Sequence, residues 1–270
     1  MFKPKKNKAF SIVEVMVASA LSLSLGVVVA TTLNTATNSM RKSNYRINAN
    51  SEARTLSTNL NKFISSAEQR SYCVDTNVLG ATTNCSYLDK DRTYAPITYF
   101  GPGPTGVSYQ MEFFTNLCLT TKALCATSSS RVNAAKAIIY VKEDPTDKSK
   151  NEIGFCYIPN SLVTLYNKAT LNSATVVSGG SCPAGNMVYR SYGLKYSNNI
   201  FKLLDDTGTS PSCITSVTPN ISTPSQACLS SVKSVRVVLE IPWLNNPKNI
   251  AAMGSNKTNI DSFINIKGVN

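Results

Sequence analysis

Glu14 is the residue whose type and position carry the clearest chemistry. It lies in FSIVEVMVASALSLSLGVVVA (Phe10–Ala30), a run otherwise apolar apart from small serines and one glycine. An ionised carboxylate in a membrane costs several kcal/mol, so such residues are rare and have a partner. If the chain is cut between Ala9 and Phe10, Phe10 gains a terminal ammonium and Glu14 becomes the fifth residue. In a bundle of staggered helices, Glu14 of one subunit would then meet the ammonium of a neighbour. The pair would neutralise two charges in an apolar core and fix the register. Breaking it would cost more than making it gains, because one charge stays buried alone.

The second chemistry is thiol oxidation. Cys73, Cys85, Cys118, Cys125, Cys156, Cys182, Cys213 and Cys228 are even in number, and none falls in a C-x-x-C pair. With no histidine in the chain, structural disulfides are favoured over zinc. Disulfides place the domain in an oxidising compartment, a periplasm or the cell exterior. Eight cysteines allow roughly a hundred connectivities. The simplest joins sequence neighbours: Cys73–Cys85, Cys118–Cys125, Cys156–Cys182 and Cys213–Cys228. Each would close a short loop and stabilise the fold by roughly 2–4 kcal/mol.

Other reactive constellations are missing. Without histidine there is no Ser-His-Asp or Cys-His arrangement, and no Walker A or G-x-S-x-G motif occurs. Asp89-Lys90-Asp91 and Asp205-Asp206 lack the spacing of a calcium loop and read as solvated turn acids. Trp243 beside Pro242 reads as packing rather than a ligand platform. The expectation is a protein that is not an enzyme and uses no cofactor or metal.

The elements that position these residues follow from patterning. Residues 1–9 are a leader carrying Lys3, Lys5, Lys6 and Lys8 and no acid. Residues 10–30, as a helix, span about 30 Å, the thickness of a bilayer core. The preceding lysines predict a cytoplasmic N-terminus and a C-terminal domain beyond the membrane. From 31 to 70 the apolar positions Leu33, Ala36, Met40, Ile47, Ala53, Leu56, Leu60, Phe63, Ile64 and Ala67 recur at roughly helical steps. Arg41, Lys42, Arg46, Glu52, Arg54 and Lys62 fall between them. No proline lies between Phe10 and Arg70. One amphipathic helix is expected, with a stripe laid on a sheet and no clean heptad.

Residues 71–270 should form a β-rich domain. Alternating segments are Pro96–Phe100, Val107–Phe114, Ala137–Lys142, Ile153–Ile158, Met187–Tyr196, Ile200–Leu204, Ser231–Ile241 and Ser262–Lys267. In the strongest, Val235, Val237, Leu239 and Ile241 share one face. Gly101–Gly106 and the Ser/Thr/Pro-rich Thr207–Ser230 read as irregular insertions. The fold class is α+β, one long helix followed by antiparallel strands. The 27 basic and 15 acidic residues give a net +12, and scattered bases imply a solvated face with a positive bias. An anionic surface or nucleic acid is the ligand class that such a charge would suit.

The run KKNKAFSIVEVMVASAL resembles the class III signal of type IV pilins and type II secretion pseudopilins. The resemblance implies cleavage by a prepilin peptidase after Ala9, N-methylation of Phe10 and an assembly role for Glu14. Ala9 stands where the family usually has glycine, and the proline that kinks many pilin helices is missing, although Gly26 and Thr31-Thr32 would loosen the helix there. Two other N-terminal readings compete. Secretory cleavage after Ala18-Ser19-Ala20 would leave only about eight apolar-run residues, too few for a good signal core. A plain signal anchor explains the lysines but not Glu14.

In its long amphipathic helix, closing strand and C-terminal FINIKGVN (Phe263–Asn270) the chain is similar to the larger minor pilins and the J-type pseudopilins, a resemblance of layout rather than motif beyond residue 70. It implies a structural subunit near a filament tip that primes assembly, with the major pilin and other minor pilins as partners through the N-terminal helix. The chain would start in the inner membrane and end in a pilus, the periplasm or the cell surface. Alternatives are a type II secretion pseudopilin, a pilus-displayed adhesin or DNA-binding module, and a free secreted disulfide-rich protein.

Overall fold

The computed structural model describes residues 10–67, 70–73, 88–101, 103, 108–115, 117, 135–144, 146, 151–158, 182, 187–194, 200–214, 224–243 and 257–266. The chain divides into two units after Ile47. Helix α1, Ile12–Ser65, begins in the first and ends in the second. Its many serines and threonines are compatible with an apolar helix because they bond back to it. The hydroxyls of Ser22, Thr32, Thr35 and Thr37 each donate to the carbonyl four residues earlier, at 2.7–2.9 Å. The helix ends at Ser65, five residues before the expected limit, and Arg70 already starts a strand.

In the second unit the strands are β1 (Arg70–Cys73), β2 (Leu88–Tyr94), β3 (Ile97–Gly101), β4 (Tyr109–Thr115), β5 (Ala135–Lys142), β6 (Glu152–Ile158), β7 (Met187–Tyr192), β8 (Phe201–Leu204), β9 (Ser234–Pro242) and β10 (Lys257–Asn265). A short helix α2, Gln226–Ser230, precedes β9 and is capped by Ser225, whose hydroxyl accepts from the Cys228 N–H. Strands β3 to β7 form a five-stranded antiparallel meander in chain order. Strands β10, β9 and β8 form a second antiparallel sheet, and β1 pairs with β2. The layout is α+β.

One apolar core joins helix and sheets. Ala49, Ala53, Leu56, Leu60, Phe63 and Ile64 of α1 are buried against Met111, Phe113, Ile139, Phe155 and Val141 of the meander. The same core takes in Val235, Val237, Leu239 and Ile241 of β9, with Ile260 and Ile264 of β10. Phe63 meets the edge of Phe155 with ring centroids 5.3 Å apart. In β9 burial alternates at every residue, as its sequence requires.

The other face of the meander is buried as well, and it mixes charged and polar groups with a small apolar cluster of Ile138, Cys156 and Cys182. Glu112 is ion-paired with Lys136 and accepts from Gln110 at 2.6 Å. Tyr140 donates to Glu152, which also meets Arg190 at 2.8 Å. Tyr140 fits because its cross-strand partner is Gly154; a Cβ there would lie 2.1 Å from the ring.

Several expectations are corrected. Strands β1 and β2 were not anticipated, because LDKDRTY has no apolar face to reveal it. Helix α2 occupies the end of Thr207–Ser230, which sequence had marked as irregular. Strand β10 starts five residues earlier than expected, through the polar Lys257-Thr258-Asn259. Strand β7 stops at Tyr192, before Gly193 turns with φ +71°.

Candidate functional site: the uncovered helix and its anchors

The start of α1 places Glu14 in a definite local role. Ser11 precedes the helix, and its hydroxyl accepts from the Val13 N–H at 3.2 Å. The Glu14 carboxylate reaches back to accept from the Ser11 N–H at 2.9 Å. This S-x-x-E arrangement is a capping box, in which two otherwise orphaned N–H groups are satisfied reciprocally. The acid also sits in the first turn, where the helix dipole favours negative charge. The motif was readable from Ser11 and Glu14 alone, yet the sequence reading treated the acid only as a counter-charge. Phe10 beside it is 82% exposed. Ala9 lies outside the described residues.

No residue from Phe10 to Asn48 is buried. The apolar part has a mean hydropathy of 2.2 over its best 18 residues, so α1 is long and apolar enough to cross a membrane. A signal sequence satisfies the same criterion. Beyond the apolar run, Leu33, Met40 and Ile47 remain exposed. Sequence reading had them continuous with Ala53–Ala67, but they do not share its phase. Ile47 and Leu56 are nine residues apart, about half a turn of angular offset at 100° per residue. The segment therefore carries two stripes, and only the second is buried.

Burial begins at Ala49, and polar clamps sit beside it. Glu52 accepts from the Tyr189 hydroxyl on β7. Asn50 accepts from the Thr258 hydroxyl of β10 at 2.7 Å, and Thr258 in turn accepts from the Trp243 indole at 2.8 Å. One helical turn is thus tied to both main sheets of the second unit. Burial, then the Glu52 carboxylate, pushes the Tyr189 phenol well above its ordinary 10.0. Tyr140 is raised by the same two causes, burial first and Glu152 second. Trp243 is part of a hydrogen-bonded clamp, in keeping with a packing role.

Among the described residues two disulfides staple the domain. Cys156–Cys182 and Cys213–Cys228 span 26 and 15 residues and have Cα separations of 5.5 and 5.9 Å. Both join sequence neighbours. Cys73 lies at the end of β1, while Cys85, Cys118 and Cys125 fall outside the described residues. Among the described residues no cluster of His, Cys, Asp or Glu could hold a metal ion. Asp89-Lys90-Asp91 lies within β2. The Asp205 carboxylate accepts from the Thr207 hydroxyl at 2.6 Å and from the N–H groups of Thr207 and Thr209, each at 3.0 Å, which pulls its pKa below the ordinary carboxylate range. It is occupied in closing its own turn. No family model, curated protein or solved structure matches this chain.

Proposed function

We propose that the chain is a structural subunit of a type IV pilus, a minor pilin in kind, held in the inner membrane by α1 before it joins the filament. On this reading a prepilin peptidase cuts after Ala9, Phe10 is N-methylated, and Glu14 pairs with the Phe10 ammonium of a neighbouring subunit. The observation that carries it is a helix left uncovered from Phe10 to Asn48 with a single acid near its start. Such a surface needs lipid first and other helices afterwards. The disulfides agree with a domain beyond the membrane. A priming role near the tip, with the major pilin and other minor pilins as partners, is the finer form of the proposal.

The test is mass spectrometry of the protein's N-terminus after extraction from membranes. A methylated Phe10 is the expected result. A start at Leu21 would mean ordinary secretory cleavage and would end the pilin reading.

A second reading has a specific observation behind it. The capping box gives Glu14 a purpose within one chain, so a plain membrane anchor no longer leaves that acid unexplained. Glutamine serves in a capping box nearly as well as glutamate but carries no charge. Glu14→Gln therefore separates the two readings.

A further inference from the structure

The groove between α1 and β10 fits a peptide strand. It is open, has a volume of about 530 Å³, and is lined on the helix by Asn50, Arg54, Ser57 and Thr58. Its other wall is the stretch from Thr258 to Ser262 of β10. Among the described strands it is an edge of its sheet, paired on one side with β9 over all nine residues. A sheet edge offers a row of N–H and C=O groups, and proteins normally blunt it with bulges, prolines or lysines. Strand β10 has none of these in working order. Its register with β9 shows no shift and its sequence has no proline. Its one lysine, Lys257, is at the end and held by Glu240.

The groove wall is chemically suited to a backbone. Ser57, Thr58, Asn259 and Ser262 carry amides and hydroxyls that can both donate and accept, while Asn50 and Thr258 are held in the clamp. The charge is one-sided. Asp261 is engaged by Arg236 through both oxygens, at 2.9 and 2.7 Å. Arg54 is exposed and has no ion-pair partner among the described residues. Among the described residues, an occupant therefore meets one cation with no ion pair.

We infer that this groove captures an extended, acidic segment of a partner protein, which adds a strand to the free edge of β10 and places a carboxylate at Arg54. Main-chain hydrogen bonds supply the affinity and the carboxylate the selectivity. About five residues of the guest, roughly 16 Å of strand, would match the wall from Thr258 to Ser262. The inference does not depend on the filament reading.

The test uses the full chain in detergent micelles and three capped probe peptides, followed by amide hydrogen exchange. The first is acetyl-Thr-Val-Glu-Val-Thr-Val-amide, the second replaces glutamate with lysine, and the third is the first with alternate amides N-methylated. The acidic peptide should slow exchange within β10 and bind about three- to tenfold more tightly than the lysine peptide. Arg54→Glu should reverse that preference, and the methylated peptide should not bind. The inference is overturned by equal binding of both charges, by binding of the methylated peptide, or by no protection of β10 at about 1 mM peptide. It is also overturned if β10 becomes protected without peptide as protein concentration rises, since the occupant would then be a second copy.

Discussion

Glu14 and Gly154 illustrate how single residues constrain this chain, one by charge and the other by having no side chain. Gly154 lies directly opposite Tyr140, whose ring is fully buried and fills the space a Cβ would need. The ring has nowhere to move, because its hydroxyl is bonded to Glu152 beneath Arg190. Gly154→Ala should therefore destabilise the protein by about 1–3 kcal/mol, despite the better intrinsic preference of alanine for ordered backbone. Thermal unfolding of the detergent-solubilised chain measures this, and an unchanged midpoint would refute the packing argument. None of it was legible beforehand. A glycine inside an alternating segment says that something approaches closely, but only the cross-strand register names Tyr140. The capping box is the opposite case, since its spacing was present in the sequence and required only that Glu14 be considered with Ser11.

At the scale of elements, the strands that were legible are those with one apolar face. Alternation located β4, β5, β6, β8 and β9 to within three residues, because each carries an inward apolar set at every second residue. Strand β2 and the first half of β10 escaped because their residues are polar on both faces and backbone pairing alone defines them. The helix was legible as a helix, but its stripe was misread. Apolar content joined Leu33, Met40 and Ile47 to Leu56 and Leu60, whereas angular phase separates them. Two substitutions test this division. Leu60→Ala removes a fully buried side chain and should cost about 2–5 kcal/mol. Met40→Ala, at a position 69% exposed, should leave unfolding of the same solubilised chain unchanged. Equal losses at both positions would mean that a single stripe faces the domain after all.

At the level of the whole molecule, one chain carries two surfaces of opposite character. The second unit is closed around its own core, with its helix clamped at Asn50 and Glu52 and its cysteines paired at Cys156–Cys182 and Cys213–Cys228. The first unit is a helix with no cover from Phe10 onward. On the proposed reading this surface serves a subunit that passes from lipid to a helical bundle. Glu14 is where the two main explanations of that helix part. As a cap it needs only a carbonyl oxygen, which glutamine supplies; as a counter-charge it needs to be an anion. The most direct measurement is incorporation of Glu14→Gln into filaments by the cells that make this protein, scored alongside its level in the membrane. The account predicts a normal membrane level and loss of incorporation. Incorporation equal to the parent protein would contradict it and leave Glu14 as the cap of a membrane anchor.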